Sequence, residues 1–383
     1  MNKTSRIAIE KEFKDYLNFW MEQMLSKDQK EIYPEMSQEF IPNKLADMGA
    51  MYLGRILYGA SRASRTLKQD SYKGLADAAY ALLVDFKNPA GGYYWSRKYN
   101  MEWSHDADNV NMAQAFVLYG FAEYMNLHAS TEVLKRIEGQ LNFIQANIGD
   151  ESEGSYLDGF DQNWARSNAM SRSFGTHFHI LEAMVLIYQQ DKSSELKESI
   201  HDLIKMIIDR FIDKDSYECL HRFSEEWNLM PNENWAGHNA EFSWVICEAA
   251  KAINDQKLIA LTQELAVKMM DQVIENAADK ANGGFFNAIE GNIPLEKSKS
   301  WWPQAEVVLG LLNVYKISAN EHYHNLAMEQ IAYISNHFMS EKGEWYAGLE
   351  NNGTPQKDMP LVFFWKSMYH TVRYYDYLLH FMK

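Results

Sequence analysis

Cysteine is nearly absent: 383 residues contain two, Cys219 and Cys247, and they have no C-x-x-C spacing. A disulfide framework is therefore excluded as a source of stability, and a reducing compartment fits. No Pro/Ser-rich linker or low-complexity stretch interrupts the sequence, so one continuous domain over residues 1–383 is expected. No apolar run reaches the roughly 18 residues a membrane span needs. The N-terminal string MNKTSRIAIEKEFKDYL is charged and lacks the apolar stretch of a secretion signal, so the cytoplasm is the expected location. Basic residues are the scarcer sign, 37 Lys plus Arg against 52 Asp plus Glu, for a formal net charge of −15. Such a surface repels phosphate backbones and anionic lipid, which argues against nucleic-acid and membrane partners. Gly-rich nucleotide loops, HExxH zinc pairs and GxSxG elbows are also missing.

Aromatic residues are abundant, at 11 Trp, 22 Tyr and 19 Phe. Most of them belong in a core. A remainder suits sugar rings, because an indole or phenol face matches the apolar C–H face of a pyranose while its polar edge reaches hydroxyls. Apolar periodicity predicts helices over 5–26, 43–68, 70–87, 108–127, 130–147, 168–190, 194–212, 238–254, 256–278, 301–318, 320–339 and 365–382. Between them lie breakers such as Asn88 to Gly92, Gly149 to Gly159, Pro231 to Gly237 and Asn282 to Gly284. Gly-Gly followed by paired aromatics recurs at Gly91 and Gly283, 192 residues apart, with a fainter copy at Gly343. That interval is three times 64, and one sixth of the chain is also about 64. Twelve helices at this spacing predict an all-α fold, an (α/α)6 barrel of six helical hairpins with a central cavity.

Histidines embedded in aromatic and amide-rich strings are the candidates for chemistry. His238 opens a helix after Gly237, and Glu241 follows three residues on, on the same face, where a carboxylate can orient an imidazole. His177 and His179 form His-x-His, but residues two apart on a helix point roughly 200° apart, so one metal ion is not expected between them. His179 repeats the His-x-x-Glu spacing with Glu182, and His370 sits near the start of the last helix beside Trp365 and Tyr369. Trp301-Trp302-Pro303-Gln304-Ala305-Glu306 is expected to build a stacking wall with hydrogen-bonding groups. Arg55 is a charge in an apolar helical run and is expected to face the cavity. The other histidines, His221 among them, read as solvated or structural.

With these strings in order along most of the chain, the sequence resembles the N-acylglucosamine 2-epimerase superfamily, closest to its cellobiose/mannose 2-epimerase branch. The matching segments are Gly54 to Leu57, Gly91 to Trp95, Gln114 to Phe116 with Tyr119, and Thr176 to Ala183. They continue with Gly237 to Glu241, Trp301 to Glu306, and Trp365-Lys366 with Tyr369-His370. The resemblance implies an (α/α)6 barrel and proton transfer at the carbon beside a sugar's aldehyde, through a cis-enediolate. It assigns His238 and His370 as the acid/base pair, His179 to ring opening and Glu241 to support of the histidines. It gives Arg55 to the enediolate oxygens and Trp302 and Trp365, with Trp301 and Glu306, to the sugar. No metal or redox cofactor is implied, and the only partner is the sugar, acted on by a monomer or homodimer. Two positions depart from the disaccharide pattern: Gly175 replaces an Asn and Met112 a Tyr, both substrate contacts in the family. An aldose–ketose isomerase of the same superfamily is the nearest alternative. A glycoside hydrolase using Glu241 and Glu306, or a sugar-binding protein without activity, stands further off.

Overall fold

The computed structural model describes residues 5–231, 233–291 and 293–382. The start of the charged N-terminal string and Asn232 in the 231–237 loop lie outside them. Twelve α-helices form among the described residues: α1 (Arg6–Phe19), α2 (Ala50–Leu67), α3 (Lys73–Val84), α4 (Val110–Leu127), α5 (Thr131–Asn147), α6 (Phe174–Asp191), α7 (Ser194–Phe211), α8 (Ala236–Ala252), α9 (Gln256–Ala277), α10 (Trp301–Ser318), α11 (Glu321–His337) and α12 (Tyr369–Phe381). The even-numbered helices form a closed inner ring, each packed on the next and α12 returning to α2. Residues on all sides of α2, α4, α6, α8 and α10 are buried, the mark of a helix enclosed by its neighbours. The outer helices α3, α5, α7, α9 and α11 each pack on the inner helix before them. The sixth hairpin is made from the two ends of the sequence: α1 packs on α12, where Phe13 stacks on Tyr375 at 5.0 Å.

The inner helices α2 and α4 approach closely because both carry glycine at the crossing. A Cβ on Gly54 would lie 2.6 Å from the Phe116 carbonyl oxygen, and one on Gly120 would lie 2.8 Å from that of Gly54. The Gly-Gly-aromatic echo marks one repeated structure. Gly91, Gly92, Gly283 and Gly284 all have positive φ, which glycine adopts without penalty. The backbone amide of Tyr93 donates to Gln114 Oε1 at 2.8 Å, and that of Phe285 donates to Gln304 Oε1 at 2.9 Å. Each glutamine's Nε2 donates back to the same residue's carbonyl, at 2.9 and 2.8 Å. Gln114 and Gln304 thus clamp turns onto inner helices, and Gln304 supplies no hydrogen bond to the tryptophan wall.

Several expected helix ends are corrected. Residues 43–49 are not helical; Met48–Gly49 forms a strand paired with Ser96–Arg97, and helix begins at Ala50. Residues 168–173 belong to the strand Arg166–Ser173, and helix starts only after Ser173, whose hydroxyl accepts from the Thr176 amide at 3.3 Å. The last helix begins at Tyr369 rather than at 365. Similar short strands, Asn234–Trp235 and Lys299–Ser300, lead directly into α8 and α10. An outer helix separates consecutive inner ones, so all inner helices run the same way. Their N-terminal ends meet at one mouth, framed by these strands. No helix among the described residues is long and apolar enough to cross a membrane.

Candidate active site

The histidine strings converge at that mouth, because each opens an inner helix. His179 lies in the second turn of α6, His238 in the first turn of α8, Trp302 in the first turn of α10 and His370 in the first turn of α12. The Trp302 ring lies against two imidazoles, 4.9 Å from His238 and 5.3 Å from His370 between centroids. His179 packs 4.4 Å from the Phe116 ring, which also carries the Arg55 guanidinium at 4.2 Å. Arg55 donates from Nη1 to the Trp365 carbonyl at 2.8 Å, while its buried Nε has no hydrogen-bond partner. Burial pulls this guanidinium down to about 10, so it stays a cation at neutral pH. Trp365 is 41% exposed and presents its ring at the rim beside Trp95, 5.7 Å away.

A layer of charge closes the floor. Arg373 donates to Glu182 Oε1 and to Glu306 Oε1, both at 2.6 Å, and also to Glu241 Oε1. The Tyr369 hydroxyl bonds Glu182 at 2.6 Å. From this layer Glu182 reaches His179 Nδ1 at 2.8 Å and Glu306 reaches His370 Nδ1 at 2.7 Å. Each imidazole therefore spends Nδ1 on a carboxylate. Neither carboxylate engages Nε2. Burial raises the pKa of Glu182, Glu241 and Glu306, with Arg373 opposing it. Below the layer, at the other end of the bore, lies a cavity of about 190 Å³ lined by Tyr58, Arg62, Tyr119 and Trp244, which the histidines do not reach.

Burial lowers the pKa of all three pocket histidines, with cationic neighbours adding to it: His179 falls to about 3, and His238 and His370 move well below their ordinary value. The N-termini of four inner helices point at the same space, which favours neutral imidazole and an anionic intermediate alike. A neutral imidazole is the form that accepts a proton. The acid limb of kcat/KM is therefore expected below pH 6.5, activity falling as pH drops through the lowered pKa. A pH–rate profile with its acid midpoint at or above 6.5 would contradict this.

Three sequence readings need correction. Glu241 does not pair with His238 despite sharing its helix; its carboxylate is buried and turned to Arg373, 3.9 Å from His370 Nδ1. His238 Nδ1 instead lies 3.1 Å from Nε2 of His221, a residue that reads as solvated or structural in the sequence. Glu306 is not a sugar contact, since it is fully buried and its oxygens serve His370, Arg373 and the Trp244 indole, the last at 3.0 Å. Trp301 is also behind the wall, 5% exposed between Phe363 and His370, so Trp302 alone of the pair offers a face. His177 turns away as the spacing predicts: Nδ1 meets the Ser173 carbonyl at 2.7 Å and Nε2 accepts from the Tyr156 amide at 2.9 Å. Arg373 is the member that sequence reasoning passes over, while Glu182 and Tyr369 enter it only as neighbours of His179 and His370. Glu241, Glu306 and His370 bring three ligand atoms within 4.8 Å of one another, but the cation they hold is Arg373.

Gly237 makes the wall possible. A Cβ there would fall 2.5 Å from Trp302 Cη2, with Pro303 Cγ at 3.0 Å. Gly237→Ala is expected to push the indole out of its contact with the two histidines, raising KM and lowering kcat while the fold persists. Steady-state kinetics alongside a thermal melt checks this, and wild-type KM would refute it.

An inner ring of helices with histidines, an arginine and an indole at their N-terminal mouth defines an α/α-barrel enzyme. The chain belongs to the N-acylglucosamine 2-epimerase (GlcNAc 2-epimerase) family, whose sequence pattern matches residues 40–373. It is 28% identical over 374 residues to the cellobiose 2-epimerase of Bacteroides fragilis, covering 93% of this chain and 94% of that one. The fold is shared with cellobiose 2-epimerase from Bacillus thermoamylovorans B4167, at a TM-score of 0.87, 24% identity and 98% of each chain. It is equally that of a D-mannose isomerase, at 0.88, 17% identity and 98% of each chain.

Proposed function

We propose that this protein is a cofactor-independent 2-epimerase that inverts C2 of a free reducing sugar, of mannose/glucose type or a β-linked disaccharide. The observation that carries the reading is that His238 and His370 both lie against the Trp302 ring at the mouth of the barrel, each with Nδ1 engaged. His179, backed by Glu182, opens the ring. One of the flanking imidazoles then removes the C2 proton, and the electron pair moves into the C1–C2 bond to give a cis-enediolate. Arg55, a cation stacked on Phe116 beside His179, offsets the charge of the developing oxyanion. The other imidazole returns a proton to the opposite face of C2. No step requires an electron acceptor. Trp302 and Trp365 hold the sugar rings.

Similarity of fold to a D-mannose isomerase supports a second reading, an aldose–ketose isomerase. The two share the enediolate and differ in whether the proton returns to C2 or C1. Incubation with mannose in D2O separates them: glucose labelled at C2 is expected, and accumulation of fructose alone would overturn epimerisation. The departures at Gly175 and Met112 meet in space, since a Cβ on Gly175 would lie 3.1 Å from Met112 Cε. A thioether thus stands by the gap where the disaccharide pattern has two hydrogen-bonding side chains, which favours a monosaccharide over cellobiose. Relative kcat/KM for mannose and cellobiose measures that preference.

A further inference from the structure

We propose that His221 is a positioning residue that holds His238 in the tautomer able to accept the C2 proton; this rests on the acid/base reading of His238 above. The two imidazoles are held together from both backbones. The Phe174 amide donates to the His221 carbonyl at 2.9 Å, and the Cys219 amide donates to Asn239 Oδ1, beside His238, at 2.8 Å. The rings cross at 72° with centroids 4.8 Å apart, which aims His221 Nε2 at His238 Nδ1 across 3.1 Å.

The proton count then fixes the tautomer. A neutral imidazole has one N–H and one lone pair. The backbone of Glu233 accepts a hydrogen bond from His221, and burial lowers His221 to about 4, so that ring stays neutral. Its single proton goes to the Glu233 carbonyl, leaving the Nε2 lone pair towards His238. His238 must donate from Nδ1, and its own Nε2 lone pair is left for the pocket.

The arrangement also divides the labour between the histidines. His179 and His370 have carboxylate partners, Glu182 and Glu306, which stabilise an imidazolium. His238 has a neutral partner, and burial and the Arg55 guanidinium both disfavour its cation. The tautomer lock matters most at the histidine with no anion to fix its ring.

The test compares His221→Phe, which keeps a ring but removes the acceptor, with His221→Gln, whose amide oxygen reaches about where Nε2 lies. His221→Phe is expected to lower kcat for C2 exchange roughly ten- to hundredfold, as loss of an orienting partner does, with KM little changed. His221→Gln recovers most of it. In ¹⁵N-histidine-labelled protein, long-range ¹H–¹⁵N spectra should show His238 protonated at Nδ1 in the wild type and at Nε2 in part of the Phe variant. Wild-type kcat in His221→Phe overturns the proposal, as does an Nε2–H tautomer of His238 in the wild-type protein, a measurement that needs no variant to fold. If His238→Ala still exchanges C2 normally, it is the acid/base reading that fails. If His238→Ala is inactive and His221→Phe is not, only the positioning role fails.

Discussion

Alanine at His370 or at His238 is expected to lower exchange of the substrate's C2 proton by roughly 10²- to 10⁴-fold, the range for loss of a general acid or base. The loss should fall on kcat, because Trp302 and Trp365 remain to bind the ring. Neither change leaves a buried charge stranded. Without His370, Glu306 keeps Arg373 at 2.6 Å and the Trp244 indole at 3.0 Å. Without His238, His221 keeps its bond to the Glu233 backbone. Both variants should therefore melt near the wild-type temperature, which separates chemistry from folding. Loss of the C2 proton signal in D2O, followed by NMR, is the measurement. Near-normal exchange in either variant would end the two-histidine scheme.

Arg373→Leu is expected to have the largest effect on stability. Arg373 is 4% exposed, its guanidinium 4.2 Å from the Tyr369 ring and 4.8 Å from the Trp244 ring, and it faces three carboxylates that are themselves buried. Removing one partner of a buried ion pair costs about 3–5 kcal/mol, because the opposite charge stays behind. Here three stay. Their pKa values are already raised by burial, so the variant should take up protons and should be least unstable in mild acid. Arg373→Lys, a point charge that cannot fork to all three, should fall between. Urea unfolding at pH 7 and pH 5 checks both. A loss below about 1 kcal/mol for Arg373→Leu at pH 7 would show that the layer does not depend on its cation.

The twelve helices were legible because the inner ones are apolar on every side and the breakers between them are glycine-rich. Their starts were less so. A two-residue strand such as Met48–Gly49 carries no period of its own, and an apolar residue there reads as the next helical turn. The site was legible as strings and illegible as pairs. Spacing puts Glu241 on the face of His238, yet it cannot say that Arg373, from the far end of the sequence, draws that carboxylate away. It cannot decide which of Trp301 and Trp302 faces the bore. His221 was passed over because its partner comes from another element, brought there by the strand Arg222–Ser224 and its pairing with Arg166–Ser173.

The pairing of α1 with α12 bears on how the molecule is made. Synthesis delivers Glu182, Glu241 and Glu306 well before the helix that carries Tyr369, His370 and Arg373. Until then the nascent chain has an open ring and three carboxylates without their counter-charge. A chain that stops short of residue 369 lacks Arg373 and His370 together. The residue that completes the ring's electrostatics and the residue that completes its chemistry arrive within a single helical turn of each other.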